Sequence, residues 1–453
     1  MLNKFIDKFT QRDKKLITYV FGDLLYDEFY DCHVNRLCPE TPTPVLRTDS
    51  NVPSVVRPGG AGNLANQLHE YSDCTLFCLK DQYQISFPFK IISESTTQNP
   101  IKRRFFCDGY MFPRWDIESQ QDDISIIEKR KKLYHKLKEL PVPDVIFLSD
   151  YHKGFFDYDF AQSIIEYAND NKILTIVDPK IDIDMWKGCS VIKLNHQEIE
   201  NISNTENKKK QISFLKNKLK CNVIVTKQGD GIYGDVNIVN TKKINVKSTS
   251  GGGDVFSAFI GLSMALGFTL QESSEIAFDA GLNYVSRNMH NDVLSMKLLK
   301  RIANPTQSKI ITLNEYKELN LKGTVVFTNG VFDILHIGHL KCLEYAKSLG
   351  DILVVGLNDD HSVKKLKGES RPIISEQERA YHLASLNCVS FVIVFNDSPS
   401  NLLKEIKPDI LVKGGEYNYN DVVGKEYAKS VKLYTMVDHV STTKVISKIK
   451  DLK

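Results

Sequence analysis

The 453-residue chain lacks a dominant charge of either sign: 59 lysines and arginines stand against 56 aspartates and glutamates, a net of +3. That balance removes the whole-chain footprint of a nucleic-acid binder or of a protein drawn to anionic membranes. No apolar run approaches the roughly 18 residues of a spanning helix. Residues Met1 to Lys15 are charge-rich and have no stretch resembling a secretory signal. The nine cysteines are odd in number, form no C-x-x-C pair and do not join the eleven histidines at zinc spacing. Reduced thiols in a cytoplasmic protein are expected. No repeat of solenoid period occurs. What remains is an ordinary globular composition, 42% hydrophobic, with length for two to four domains.

Two stretches alternate short apolar runs with helical patterns, which predicts α/β architecture with largely parallel sheets. The first spans residues 1–302 and contains Leu16-Ile-Thr-Tyr-Val-Phe21, Val145-Ile-Phe-Leu148, Ile173-Leu-Thr-Ile-Val177 and Val223-Ile-Val-Thr226. Residues 303–312 are polar around a proline and are expected to be a linker. The second alternation, 313–453, contains Thr324-Val-Val-Phe-Thr328, Asp351–Leu357, Phe391–Phe395 and Asp409–Lys413, and reads as a small Rossmann-like domain. The lysine-rich segments Lys129–Lys138 and Lys208–Lys220 carry leucines at helical spacing and read as solvated helix faces.

In the first stretch, Ser248-Thr-Ser-Gly-Gly-Gly-Asp-Val-Phe-Ser-Ala258 places three glycines before an apolar helix. Glycine lets the backbone approach a ligand, and the first amides of a helix lack internal partners and favour anions. Asp254 in the first turn could take a proton from an attacking hydroxyl. A capped, buried helix after a flexible turn fits the same string. A second glycine-rich turn, Arg57-Pro-Gly-Gly-Ala-Gly-Asn63, also precedes a helical pattern, and Gly22-Asp23, Asp178-Pro-Lys180 and Asn195-His-Gln-Glu198 follow strand runs. Polar groups at the carboxyl ends of parallel strands converge on one crevice.

This set resembles the ribokinase or phosphofructokinase-B-type sugar kinases. Their G-A-G-D signature stands here as Gly251-Gly252-Gly253-Asp254, and their N-x-x-E element as Asn195 and Glu198. The resemblance implies phosphoryl transfer from ATP to a sugar hydroxyl. Asp254 would be the base, and the amides of Gly251 to Gly253 would hold charge on the transferred group. Asn195 and Glu198 would handle magnesium and phosphate, and Asp23, Gly59, Gly60 and Asn63 would contact the sugar. Lys180 is expected either at a phosphate of the substrate or at the surface. After Leu76–Lys80 such kinases usually continue with G-x-D and a helix. Here Asp81–Phe89 is shortened, which puts the lid and its partner surface in question.

In the second stretch, residues 324–340 run from a strand through Asn329-Gly330 to His336 and His339. Three residues apart, the histidines share one face near a helix start, with Gly338 giving backbone access. Imidazoles there can donate to phosphate, aided by the helix dipole. A metal-binding pair would need further ligands, and no nearby Cys or His supplies them. The segment resembles the H-x-G-H nucleotidyltransferases. Lys367–Pro372, Glu378-Arg379, Lys413-Gly-Gly-Glu-Tyr417 and Ser441-Thr-Thr443 follow in the order such enzymes show. The resemblance implies attack of a substrate phosphate on the α-phosphorus of a nucleoside triphosphate, with loss of pyrophosphate. His336, His339, Lys413 and Arg379 would neutralise charge. Ser441 and Thr442 would bind the triphosphate, and Thr328, Asn329 and Asp333 would line the nucleotide site. Magnesium is expected with the triphosphate.

A ribokinase-like domain followed by such a transferase resembles the family of bacterial bifunctional heptose 7-phosphate kinases/heptose 1-phosphate adenylyltransferases. Leu148-Ser-Asp-Tyr-His-Lys-Gly154, Cys38-Pro-Glu-Thr-Pro-Thr-Pro-Val45 and Leu411–Tyr417 add to the match. The resemblance implies ATP as donor, heptose phosphates as substrates, ADP-heptose for lipopolysaccharide core as product, and a homo-oligomer. No phosphatase motif is convincing: Asp182-Ile-Asp184 has D-x-D spacing but no strand leads into it. Three alternatives stay open on sequence alone: another sugar phosphate or CTP, a first half serving as a sugar-phosphate sensor or assembly module, and a generic nucleotide-binding scaffold.

Overall fold

The computed structural model describes residues 1–435 except 49, 51, 108–109, 119–124, 181, 203–206, 241–248, 287–291, 318, 320, 322, 397 and 416–417. The chain forms two compact units, Met1–Leu299 and Lys300–Lys453. No helix among the described residues is long and apolar enough to cross a membrane.

Unit 1 is built on a nine-stranded sheet. In chain order its strands are β1 (Leu16–Gly22), β5 (Ser72–Lys80), β6 (Lys90–Ser95), β9 (Val145–Ser149), β10 (Leu174–Asp178), β11 (Val191–Asn195), β12 (Asn222–Lys227), β13 (Gly231–Gly234) and β14 (Ile238–Val239). The sheet order is β14-β13-β12-β11-β10-β9-β1-β5-β6. All neighbours run parallel except the β12-β13-β14 meander. Strands such as Val145-Ile-Phe-Leu-Ser149 are buried along their whole length, as helices on both faces require. The lysine-rich segments lie on helices Ile126–Glu139 and Lys208–Leu219, which bury Leu133, Leu137, Leu215 and Leu219 in the core beneath one face of the sheet.

A second sheet of five strands comprises β2 (Leu24–Leu37), β3 (Pro44–Thr48), β4 (Val55–Gly60), β7 (Ile101–Cys107) and β8 (Tyr110–Ile117). Strand β2 is buried through Tyr30 and largely exposed beyond it. The shortened region after Lys80 is a helix-free loop into β6. It is pinned where the Asp81 and Asn99 side chains each accept the other's backbone N–H, both at 2.8 Å. The second sheet therefore stands without that helix.

Unit 2 carries five parallel strands: β15 (Val325–Gly330), β16 (Ile352–Asn358), β17 (Phe391–Phe395), β18 (Ile410–Gly414) and β19 (Ser430–Tyr434). Their order, β17-β16-β15-β18-β19, reverses direction at β15. The doubly wound rule places the ligand crevice there, beyond the carboxyl ends of β15 and β18. The expected linker 303–312 is not free chain. The helix Met296–Ala303 runs to its first residue, Ile310 bridges Val392, and Ile311 is buried with Phe327 and Val354. The apolar Ile310-Ile311 pair outweighs the polar residues around Pro305, because it can bury against unit 2.

Candidate active sites

The glycine turn of unit 1 folds as its sequence demands. Gly251 takes φ +77°, a left-handed value that favours glycine, and the helix Gly252–Ala265 starts there. Asp254 is buried in its first turn. Asn63 Nδ2 donates to its Oδ2 at 2.5 Å and Tyr151 donates to its Oδ1 at 3.2 Å. Burial first, and then the Asp178 charge, push its carboxyl up to about 6 against the lowering effect of Asn63, Lys193 and Tyr151. That group is ionised at neutral pH, yet close enough to 7 to accept a proton usefully.

A cavity of about 440 Å³ opens above this turn, lined in part by Gly251, Gly252, Gly253, Asp254, Lys180 and Asn195. Asn195 and Glu198 close the start of helix His196–Ile202 on themselves. The Asn195 side chain accepts the Glu198 N–H at 2.8 Å, and Glu198 accepts the Asn195 N–H at 2.7 Å. The other Glu198 oxygen pairs with Lys180 at 2.7 Å. Lys180 thus lies in the cavity wall, with its ammonium 5.3 Å from the Tyr151 ring centre.

The sugar-side residues divide. Asn63 reaches Asp254 as described. Gly60 has φ +58°, and a side chain there would collide with Leu25 and the Asp23 carbonyl. Gly59 lies so close to Asp27 that a Cβ would stand 2.7 Å from its Oδ2. Asp23 was expected at the sugar, but its oxygens accept the backbone amides of Tyr151, Lys153 and Phe155 at 2.9–3.2 Å. It braces the loop that carries Tyr151. The acidic group beside the second glycine turn is instead Asp27, paired with Arg104. The spacing Gly22-Asp23-Leu-Leu-Tyr-Asp27 held that signal, since an Asp four residues into β2 sits opposite β4. Tyr151 stands in the Leu148–Gly154 string, which assigned it no role, and Lys193 belongs to neither a glycine turn nor the N-x-x-E string.

In unit 2, His336 caps the helix Ile337–Ser348 and stacks on His339 with ring centres 3.8 Å apart. Both Nδ1 atoms are buried without a partner. Burial, and then His336, hold His339 down to about 4, while burial also lowers His336. Phe332 packs on His339 at 5.2 Å from a left-handed φ of +47°, strain placed in the turn that presents the histidines. Lys413, at the end of β18, is buried and donates to Asn329 Oδ1 at the end of β15. Burial lowers its ammonium to about 8. Thr328 is buried beside Asn329 in β15. Lys413 and Asn329 thus meet at the carboxyl ends of β18 and β15, and His336 and His339 meet at the start of the helix that follows β15.

Two expected site residues have other work. Arg379 is fully buried. It donates to the Ile374 carbonyl at 3.0 Å, the Val331 carbonyl at 2.5 Å and Asp360 at 2.7 Å. A guanidinium so enclosed ties the Val331 turn to the Ile374 loop and does not present itself to a triphosphate. Asp333 accepts from Arg371 and from the amides of Ile373 and Ile374, so its carboxylate fixes the same loop. Ser441 and Thr442 lie outside the described residues.

A family model described as cytidylyltransferase-like matches residues 327–450. The bifunctional protein HldE of Helicobacter pylori is 34% identical over 462 residues, covering 96% of this chain and 99% of that protein. The bifunctional protein HldE of Aliarcobacter butzleri is 34% identical over 473 residues, covering 97% and 98%. A point mutant of phosphofructokinase-2 from Escherichia coli superimposes with a TM-score of 0.51 at 16% identity, over 64% of this chain and 98% of that one. At that identity the likeness concerns the fold of unit 1 alone.

Proposed function

The chain belongs to the HldE family of bifunctional proteins, and from that premise we propose how its two units divide the chemistry. Unit 1 transfers the γ-phosphoryl of ATP to the anomeric hydroxyl of heptose 7-phosphate, giving heptose 1,7-bisphosphate and ADP. Unit 2 joins the AMP part of ATP to heptose 1-phosphate, giving ADP-heptose and pyrophosphate. A separate phosphatase must act between the two steps. The product supplies nucleotide sugar for lipopolysaccharide core. The observation that carries this reading is a pair of unlike groupings: in unit 1 a buried carboxylate under a glycine turn, and in unit 2 stacked imidazoles at the helix start after β15 with a buried lysine at the end of the neighbouring β18.

In unit 1 Asp254 takes the hydroxyl proton as the sugar oxygen bonds the γ-phosphorus and the bond to ADP breaks. Asn63 and Tyr151 hold the carboxylate in line. The amides of Gly251 to Gly253 receive the growing negative charge. Asp27, Gly59, Gly60 and Asn63 shape the sugar side, and Lys180 stands where the substrate's charges gather. In unit 2 the nucleophile is already a phosphate oxygen, so no base is needed. It bonds the α-phosphorus and the bond to pyrophosphate breaks. Lys413 offsets charge as the two anions meet, His336 and His339 donate ring N–H groups to their oxygens as neutral imidazoles, and Thr328 and Asn329 close the end of β15.

Magnesium accompanies the triphosphate. Such an ion is held largely by nucleotide oxygens and water, with one or two carboxylates from the protein. Asp178, whose buried Oδ1 has no hydrogen-bond partner, faces the unit 1 cavity and fits contact with such an ion. When bound, the ion neutralises charge between the phosphates. The chain works in the cytoplasm as a homo-oligomer. Exposed Val34, Leu37, Met111, Phe112 and Trp115 on the second sheet suit a second copy.

The test supplies heptose 7-phosphate and then heptose 1-phosphate to one sample. ADP from the first and pyrophosphate from the second are expected, with ATP preferred to CTP in the second. Tight binding of heptose 7-phosphate without ADP formation would make unit 1 a sensor.

A further inference from the structure

Lys193 belongs to none of the motifs that mark unit 1, yet its ammonium stands under the glycine turn. It enters from β11 with 7% of its side chain exposed and donates to Asp178 Oδ2 at 2.6 Å. The same oxygen accepts the Ser257 hydroxyl at 3.3 Å. A Cβ built on Gly253 would lie 3.1 Å from Lys193 Nζ. The cation is therefore against the backbone of the first turn of the helix Gly252–Ala265, and Lys193, Asp178, Gly253 and Asp254 line one cavity.

That placement runs against the helix dipole, which favours anions at a helix start and cations at its end. A buried ammonium there adds to the positive potential of the helix amides instead of opposing it. Asp178 offsets it within the protein, and Ser257 still donates to Asp178 when the lysine turns away. Positive charge from two independent sources thus converges on one point of the cavity wall, beside the carboxylate of Asp254. This is the arrangement that a phosphoryl group in transit requires.

We propose that Lys193 is a catalytic residue of the phosphoryl transfer, its ammonium leaving Asp178 to donate to an oxygen of the γ-phosphoryl group between ADP and the sugar. This deepens the kinase reading and rests on it. No proton passes through Lys193: the sugar O–P bond forms, the P–O bond to ADP breaks with its electron pair leaving on ADP, and the hydroxyl proton goes to Asp254.

The test compares wild type, Lys193→Met and Lys193→Arg in the full chain. With heptose 7-phosphate and ATP, Lys193→Met is expected to lower kcat about 100-fold or more. KM for the sugar phosphate should stay within threefold, and Lys193→Arg should recover at least tenfold. Pyrophosphate release from the same samples, with their melting temperatures, reports that the chains are folded. A kcat within threefold of wild type in Lys193→Met overturns the assignment. So does a loss that Lys193→Arg leaves equally deep, since that marks packing around Asp178. A wild type that makes no ADP overturns the sugar reading instead. Lys193 is then judged by titrating a non-hydrolysable ATP analogue against ADP, the transferase site contributing equally to both proteins. Loss of the wild-type preference for the analogue in Lys193→Met supports the assignment, and an unchanged preference overturns it.

Discussion

Among the described residues each unit buries a lysine at its candidate site, Lys193 and Lys413, and the two keep different company. Lys193 faces the Asp178 carboxylate, with Asp254 close by. Lys413 faces the neutral amide of Asn329, and burial alone lowers its ammonium to about 8. The difference follows from the nucleophiles. On the reading proposed above, a sugar hydroxyl must lose a proton, so unit 1 needs a carboxylate base, and its cation must coexist with negative charge. A sugar phosphate arrives ionised, so unit 2 has no need of a base. Asp333, a carboxylate three residues before His336, is locked into a loop by Arg371 and two amides. Among the described residues no carboxylate pairs with Lys413, and a buried cation so placed costs stability in the empty protein and is stabilised when anions bind.

The contrast can be broken most sharply at the base. Asp254→Asn should reduce ADP formation from heptose 7-phosphate by about 10³-fold or more while pyrophosphate release stays near wild type. Near-normal kinase turnover would remove Asp254 from the role. The reverse experiment is expected to cost less, since no proton transfer is lost: His336→Ala and His339→Ala should each slow pyrophosphate release by about 10²-fold and leave ADP formation unaltered. If either histidine variant impaired both reactions, the two pockets would not act separately. A smaller effect is expected at the second sheet. Trp115→Lys should shift the sedimenting mass toward monomer by placing charge on an exposed apolar face. An unchanged mass would locate association elsewhere.

Much of this was legible in the sequence because the informative residues are local. Gly251-Gly-Gly-Asp254 and His336-Ile-Gly-His339 each carry turn, helix start and reacting group within a few residues. What stayed hidden depends on pairings across long separations. Asp23 reads as a ligand until the amides of Tyr151, Lys153 and Phe155 close on it. Arg379 reads as a phosphate contact until Val331, Ile374 and Asp360 surround it. Lys193 reads as a strand residue until Gly253 is found against it. The polar stretch after Ala303 reads as a linker because the burial of Ile311 depends on Phe327 and Val354.

The opposed electrostatics of the pockets are tested most directly by the two rates as functions of pH on one sample. The Asp254 carboxyl is raised to about 6, so the base is ionised above that value and protonated below it. Lys413 is lowered to about 8, so its charge is present below that value and lost above it. ADP formation should therefore fall about tenfold per unit as pH drops below about 6, while pyrophosphate release should hold there and decline as pH rises past about 8. Two profiles of the same shape, falling together at either end, would contradict the account.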